Sequence, residues 1–181
     1  MRKTIPVFVA LSLCALLAAC SVFTPRRGFN RAMNDRNVQI TAQHALDADP
    51  ELNGRAHIGS SVYNGVLLLI GEASTEQVKA RAEADVTGYD GVQRVVNLID
   101  VMPLQSVGRT MQDAALTAAV KTALLHIDMP SFDPGRVKVS TAHGKVYLMG
   151  LVSHAEADAT VNVARKVAGV KEVVQVFEYT D

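Results

Sequence analysis

The chain has 181 residues, with 18 Lys and Arg balancing 18 Asp and Glu, 49% hydrophobic residues and no tryptophan. This is a globular composition, and its neutrality excludes the basic field through which nucleic-acid-binding proteins gather their ligand. Its two cysteines, Cys14 and Cys20, are too few for a disulfide scaffold or a thiolate metal cluster.

The N-terminus is organised for export. Arg2 and Lys3 form a positive segment, Ile5 to Leu17 a short apolar run, and Leu17-Ala18-Ala19-Cys20 a small-residue cleavage site. The run is too short to span a bilayer as a helix. The motif ending at Cys20 resembles the lipobox of bacterial lipoproteins. That resemblance implies removal of residues 1–19 as a signal peptide and acylation of Cys20 as the first mature residue. Removal takes the basic count from 18 to 16 against 18 acidic residues, so the mature chain stays nearly neutral. Ser21 follows where inner-membrane lipoproteins of enteric bacteria resemble one another in carrying Asp. An outer-membrane address on the periplasmic face is therefore expected. Residues 20–34, with Pro25, Arg26, Arg27, Gly28 and Arg31, lack apolar periodicity and read as a lipidated tether. Its arginines either meet an anionic surface or keep a solvated spacer extended.

Two copies of one unit follow, over 35–101 and 110–181, joined by a short linker at 102–109. Asn64-Gly65 before Val66-Leu67-Leu68-Leu69-Ile70-Gly71 corresponds to His143-Gly144 before Lys145-Val146-Tyr147-Leu148-Met149-Gly150. Gly91-Val92 and Gly169-Val170 each lead into a valine-rich strand. In the first copy Asn64-Gly65 suits a two-residue hairpin turn, Ser74 opens a helix, and Val78, Ala82 and Val86 form its apolar stripe before Gly88. In the second, Val137, Val139 and Thr141 alternate with Lys138 and Ser140 as a half-buried strand, and His143-Gly144 makes the turn. Ser153 then opens a helix whose stripe is Ala157, Val161, Ala164 and Ala168, with Gly169 at the cap position. Glycines 71, 91, 150 and 169 fall where turns and caps need them. Each copy reads helix, strand, strand, helix, strand. The fold class is α+β, two tandem αββαβ domains, each a three-stranded sheet packed with two helices.

The repeated αββαβ order, with Gly after the second strand and Gly-Val before the third, resembles the BON domain. A lipobox followed by two such domains is similar to the dual-BON outer-membrane lipoproteins of the DolP type. The resemblance implies a non-enzymatic protein that binds anionic phospholipid and supports envelope integrity, including at sites of division. No cofactor is implied.

The first helices of the two copies differ. Asn37, Gln39, Thr41, Gln43 and Asp47 make one face of the first polar, whereas Asp113 to Ile127 is apolar nearly all round. Leu116, Ala119, Val120, Ala123, Leu124 and Ile127 form the core stripe, and Leu125 points away from it with Met111 and Met129. Such a helix needs a second partner, either lipid or protein. The family resemblance favours phosphatidylglycerol or cardiolipin, met by Lys121, Leu124, Leu125, Ile127, Met129 and Phe132. Here Ala114-Ala115-Leu116 stands where a tryptophan would serve as an interfacial anchor. The alternative is a periplasmic scaffold that uses the same helix to bind an envelope protein. Enzyme chemistry lacks support: the histidines show no metal-ligand spacing, His154-Ala155-Glu156 lacks the cysteine pair of a deaminase, and Ser60-Ser61 lies on a strand.

Overall fold

A computed structural model describes residues 28–105 and 107–181; the signal segment, Cys20 and the tether up to residue 27 lie outside the described residues. The first domain runs α1 (Phe29–Ala48), β1 (Ala56–Tyr63), β2 (Val66–Ala73), α2 (Glu76–Val86) and β3 (Arg94–Val101). The second repeats it as α3 (Val107–Leu124), β4 (Val137–Ala142), β5 (Lys145–Val152), α4 (His154–Ala164) and β6 (Glu172–Tyr179), with one 3-10 turn at Pro134–Arg136. In each sheet the second strand is central, antiparallel to the first and parallel to the third. The parallel pairing requires the helical crossover that α2 and α4 supply.

Local chemistry sets the turns. Asn64 and Gly65 take φ of 52° and 80°, and His143 and Gly144 take 56° and 79°, so both hairpins turn through two left-handed residues. Ser153 caps α4 in a reciprocal capping box with Glu156. For α2 the cap is Thr75, whose hydroxyl accepts from the Val78 N–H, rather than Ser74. Other boundaries also shift. α1 begins at Phe29, inside the stretch read as tether, and α3 begins at Val107, inside the expected linker. α4 stops at Ala164 because Lys166 and Val167 bond back only three residues; Ala168 is outside the helix, and Gly169 serves a later turn. Gly71 and Gly150 lie within strands rather than at turns, for steric reasons. A Cβ on Gly71 would come within 2.1 Å of the His57 carbonyl oxygen, and one on Gly150 within 2.6 Å of that of Arg136.

Alternation divides each sheet between two cores. Leu67, Leu69 and Ile99 pack under α1 and α2, and Val139, Val146 and Leu148 pack with Val120, Leu124 and Val161 under α3 and α4. The opposite faces of the two sheets pack on each other. Tyr63, Val66, Leu68 and Ile70 meet Ala142, Tyr147 and Met149 in a third core between the domains. The unbroken apolar run Val66 to Ile70 thus belongs to a strand buried on both faces.

Candidate functional site

The surface singled out by sequence is built on α3. Its inner side is fixed by Val120 and Leu124, with Leu116 half-buried beside them. Its outer side exposes Met111, Ala114, Ala115, Ala118, Ala119 and Lys121. After Leu124 the chain tightens: the N–H groups of Leu125, His126 and Ile127 bond to the carbonyls of Thr122, Ala123 and Leu124. This turn projects Leu125, which is 68% exposed, as Met111 is 72% exposed near the other end of the helix. The equivalent outer side of α1 presents Asn34, Arg36, Asn37, Thr41 and Asp47, with Met33 and Ile40 as its large apolar residues.

The six residues proposed for lipid contact do not form one surface. Leu124 is 1% exposed and belongs to the core, so it reaches no ligand without unfolding the domain. Ile127 and Phe132 turn inward and pack half-buried against that core, which also requires their apolar area. Met129 is half-buried, while Lys121 and Leu125 stand in solvent. Lys121 lies in the last turn of α3, where a cation complements the helix dipole.

A groove of about 470 Å³ runs beside the N-terminal half of α3. Ala115, Leu116, Ala119 and Ala168 supply apolar walls, Arg109 and Lys171 supply positive charge, and Asp113 adds a carboxylate. Arg109, Lys121 and Lys171 are all exposed, and among the described residues their side chains make no hydrogen bond or ion pair. Arg109 and Lys171 were not recognised from sequence, because they are 62 positions apart in the chain and meet only through the fold.

Two carboxylates position this architecture, and both copies use them alike. Asp113 on α3 accepts from the N–H groups of His143 and Gly144 at 2.8 and 2.9 Å. Asp35 on α1 accepts from Asn64 and Gly65 at 2.7 and 3.0 Å. Each ties its helix to a hairpin turn whose N–H groups point out of the ladder. The sequence carried a signal for this, since the aspartates precede their turns by 29 and 30 residues.

The His143 ring reaches across the seam between the domains. Nδ1 lies 3.0 Å from Asp100 Oδ2, and Nε2 faces Glu72 Oε2. Lys145 Nζ also bonds Asp100, at 2.7 Å. Burial works to raise the Asp100 carboxyl, but Lys145 and His143 outweigh it and hold it below its ordinary range. Burial likewise opposes ionisation of Glu72, and the Gln105 N–H, His143 and His57 together hold it low. A second cavity, of about 370 Å³, lies at this seam and shares Arg109, Asp113 and His143 with the groove.

The residues weighed for catalysis have structural partners. His154 stacks on Tyr179 with ring centroids 4.0 Å apart and bonds Asp181, tying down the C-terminus. The Ser60 hydroxyl donates to Gln43, and Ser61 meets Ser140 across the seam.

Outer membrane lipoprotein DolP of Haemophilus influenzae is 32% identical over 168 residues, covering 90% of this chain and 83% of that protein. The 21 kDa hemolysin of Actinobacillus pleuropneumoniae is 34% identical over 153 residues, covering 84% and 78%. Among solved structures, the C-terminal domain of CdsD, a structural protein of the type III secretion system of Chlamydia trachomatis, is 18% identical. Its TM-score is 0.31, over 81% of this chain and 67% of that one. The BON domain family matches residues 34–103 and again 112–181, one match on each αββαβ unit, and the chain belongs to that family as a protein of two BON domains in tandem.

Proposed function

We propose that this protein is an outer-membrane lipoprotein, held on the periplasmic face by acylated Cys20, whose second BON domain binds anionic phospholipid. The observation that carries this reading is the outer side of α3. There Met111 and Leu125 flank a strip of alanines, with the exposed cations Arg109, Lys121 and Lys171 beside it, unpaired among the described residues. Apolar side chains enter the acyl boundary while basic ones meet phosphate, as in helices that lie in a membrane interface. No helix among the described residues is long and apolar enough to cross a membrane, so this contact is peripheral. The name of the Haemophilus relative supports the location, and the lipobox ending at Cys20 supports the anchor. On this reading the protein contributes to envelope integrity, with division sites as one place where it gathers. Phosphatidylglycerol or cardiolipin is the expected lipid, and Lys121, Leu125 and Met129 remain from the original set of contacts.

The test is co-sedimentation of the chain from Ser21 onward with vesicles of graded phosphatidylglycerol or cardiolipin content. Binding rises with anionic fraction and weakens with salt. No binding at low salt overturns the lipid reading and favours a protein partner. Undiminished binding by a Met111→Asp, Leu125→Asp double variant overturns the surface.

A further inference from the structure

The contacts that join the two domains are related by the repeat itself. Ser61 and Ser140 occupy equivalent positions in β1 and β4, and their hydroxyls meet at 2.8 Å. On either side the contacts are reciprocal. Asn64, in the first hairpin turn, reaches Glu178 in β6, and His143, in the second, reaches Asp100 at the equivalent position of β3. The interface is therefore a pseudo-twofold within one chain, in which one position performs the same task with two chemistries. The Asn64 amide donates whatever the pH. The imidazole of His143 donates from both nitrogens only when protonated, because the neutral ring keeps a single N–H.

Both nitrogens of His143 have acceptors. Asp100 faces Nδ1 and Glu72 faces Nε2, and the histidine side chain is 11% exposed. Deprotonation turns a lone pair toward one of these carboxylates, either Glu72, whose side chain is 6% exposed, or Asp100, whose side chain is 29% exposed. The surrounding charges do not replace the lost donor for Glu72. Lys145, on β5, is bonded to Asp100. From β1, His57 Nδ1 lies 2.9 Å from the other Glu72 oxygen, and the linker contributes the neutral Gln105 N–H there. From α3, Asp113 adds a third carboxylate, directed at the turn's own N–H groups, and Arg109 borders the shared cavity without a hydrogen bond to either acid.

We propose that His143 is a pH-sensitive lock between the two BON domains, closed while its ring is protonated and loosened when the proton leaves. The first domain's counterpart, Asn64, keeps its side of the interface joined, so loosening acts at the His143 side of the seam. There Asp113 grips the same turn, and the seam cavity lies alongside. The lock is independent of whether α3 binds lipid.

The chain from Ser21 onward contains both domains and no cysteine, so Ser61→Cys places a single thiol at the buried centre of the interface. The rate of thiol labelling, divided by that of an unfolded peptide of the same local sequence at the same pH, measures opening. The ring resonances of His143 give its own titration midpoint. The labelling ratio is expected to rise roughly tenfold or more as His143 loses its proton, the equivalent of one charge-assisted hydrogen bond. After His143→Asn, which copies the residue of the first turn, the ratio should stay flat with pH. The lock is overturned by a ratio that does not change across the His143 midpoint, by an equal rise after His143→Asn, or by a ring that keeps its proton until the chain unfolds.

Discussion

Replacing Asp35 by alanine tests whether a buried carboxylate on the first helix holds the first hairpin in place. Asp35 is 2% exposed, and its two oxygens accept from the consecutive N–H groups of Asn64 and Gly65. Both donors belong to residues with positive φ, and neither has a ladder partner across the turn. A hydrogen bond to a charged group contributes roughly 1.5–3 kcal/mol, so losing two, with the Gly65 donor left buried, costs about 3 kcal/mol or more. For a chain of this size that is a fall in Tm of about 6–12 °C. Asp35→Asn keeps one acceptor oxygen but presents an amide N–H₂ to the other donor, and is expected to lose about as much. Asp113→Ala is the internal control: it removes the same pair of bonds from a half-exposed site and should cost less, about 1–2 kcal/mol. Urea unfolding followed by far-ultraviolet circular dichroism measures all three. A loss below about 1 kcal/mol for Asp35→Ala, or a larger loss at Asp113 than at Asp35, refutes the argument that burial of these bonds sets their worth.

The neighbouring leucines of α3 should separate core from surface. Leu124→Ala is expected to lose about 2–5 kcal/mol of stability, whereas Leu125→Ala stays within about 0.5 kcal/mol and changes vesicle binding instead. Equal stability losses would mean that the helix is rotated. Asp85 gives a pH dependence with a definite sign. Its carboxyl is pushed up to about 6, first by burial and then by Asp49, and one of its oxygens is buried without a partner. A folded value above the unfolded one means that the native state binds the extra proton, so this group's contribution falls as pH rises from about 4 to about 6. Asp85→Asn removes that fall and is expected to be at least as stable as the parent at pH 7, with the difference gone near pH 4. Urea midpoints across that range check it, and a variant less stable than the parent at pH 7 contradicts the sign.

Much of the fold was readable because its signals are local. The alternation of Val137 and Val139, the Asn64-Gly65 turn and the stripe of Val78, Ala82 and Val86 each depend on residues a few positions apart. Helix ends were less readable. The turn of α1 that begins at Phe29 has no apolar periodicity, and its position depends on Asp35 gripping a hairpin far along the chain. The candidate site divided along the same line. The outward direction of Leu125 follows from 100° per residue, and the inward direction of Leu124 follows from the same arithmetic. Ile127 falls on the core stripe by the same period and packs there, whereas Phe132 lies well beyond the helix, where the period does not apply, and the core claims it. His143 was legible as a turn residue, but not as a bridge. Its partners Asp100 and Glu72 are 43 and 71 residues away, and nothing in the local sequence brings them together.

The way the sheets are covered leaves the helices as the surfaces open to a ligand. Each sheet has two helices on one face and the other sheet on its second, so neither leaves a broad face for a ligand. The outward sides of the helices remain, and the duplicated domains have diverged there. α1 presents Asn34, Arg36, Asn37, Thr41 and Asp47, while α3 presents alanines flanked by Met111 and Leu125. On the proposed reading this divergence divides the work. The tether from Cys20 leads first into the domain with the polar helix, and the second domain then presents its apolar helix to a membrane the chain already occupies. Tethering raises the effective concentration of that surface to roughly the millimolar range, so a contact that the free chain makes measurably but weakly is filled in the anchored one. On that reading a helix that relies on tethering has no need of a tryptophan anchor where this chain has Ala114-Ala115-Leu116.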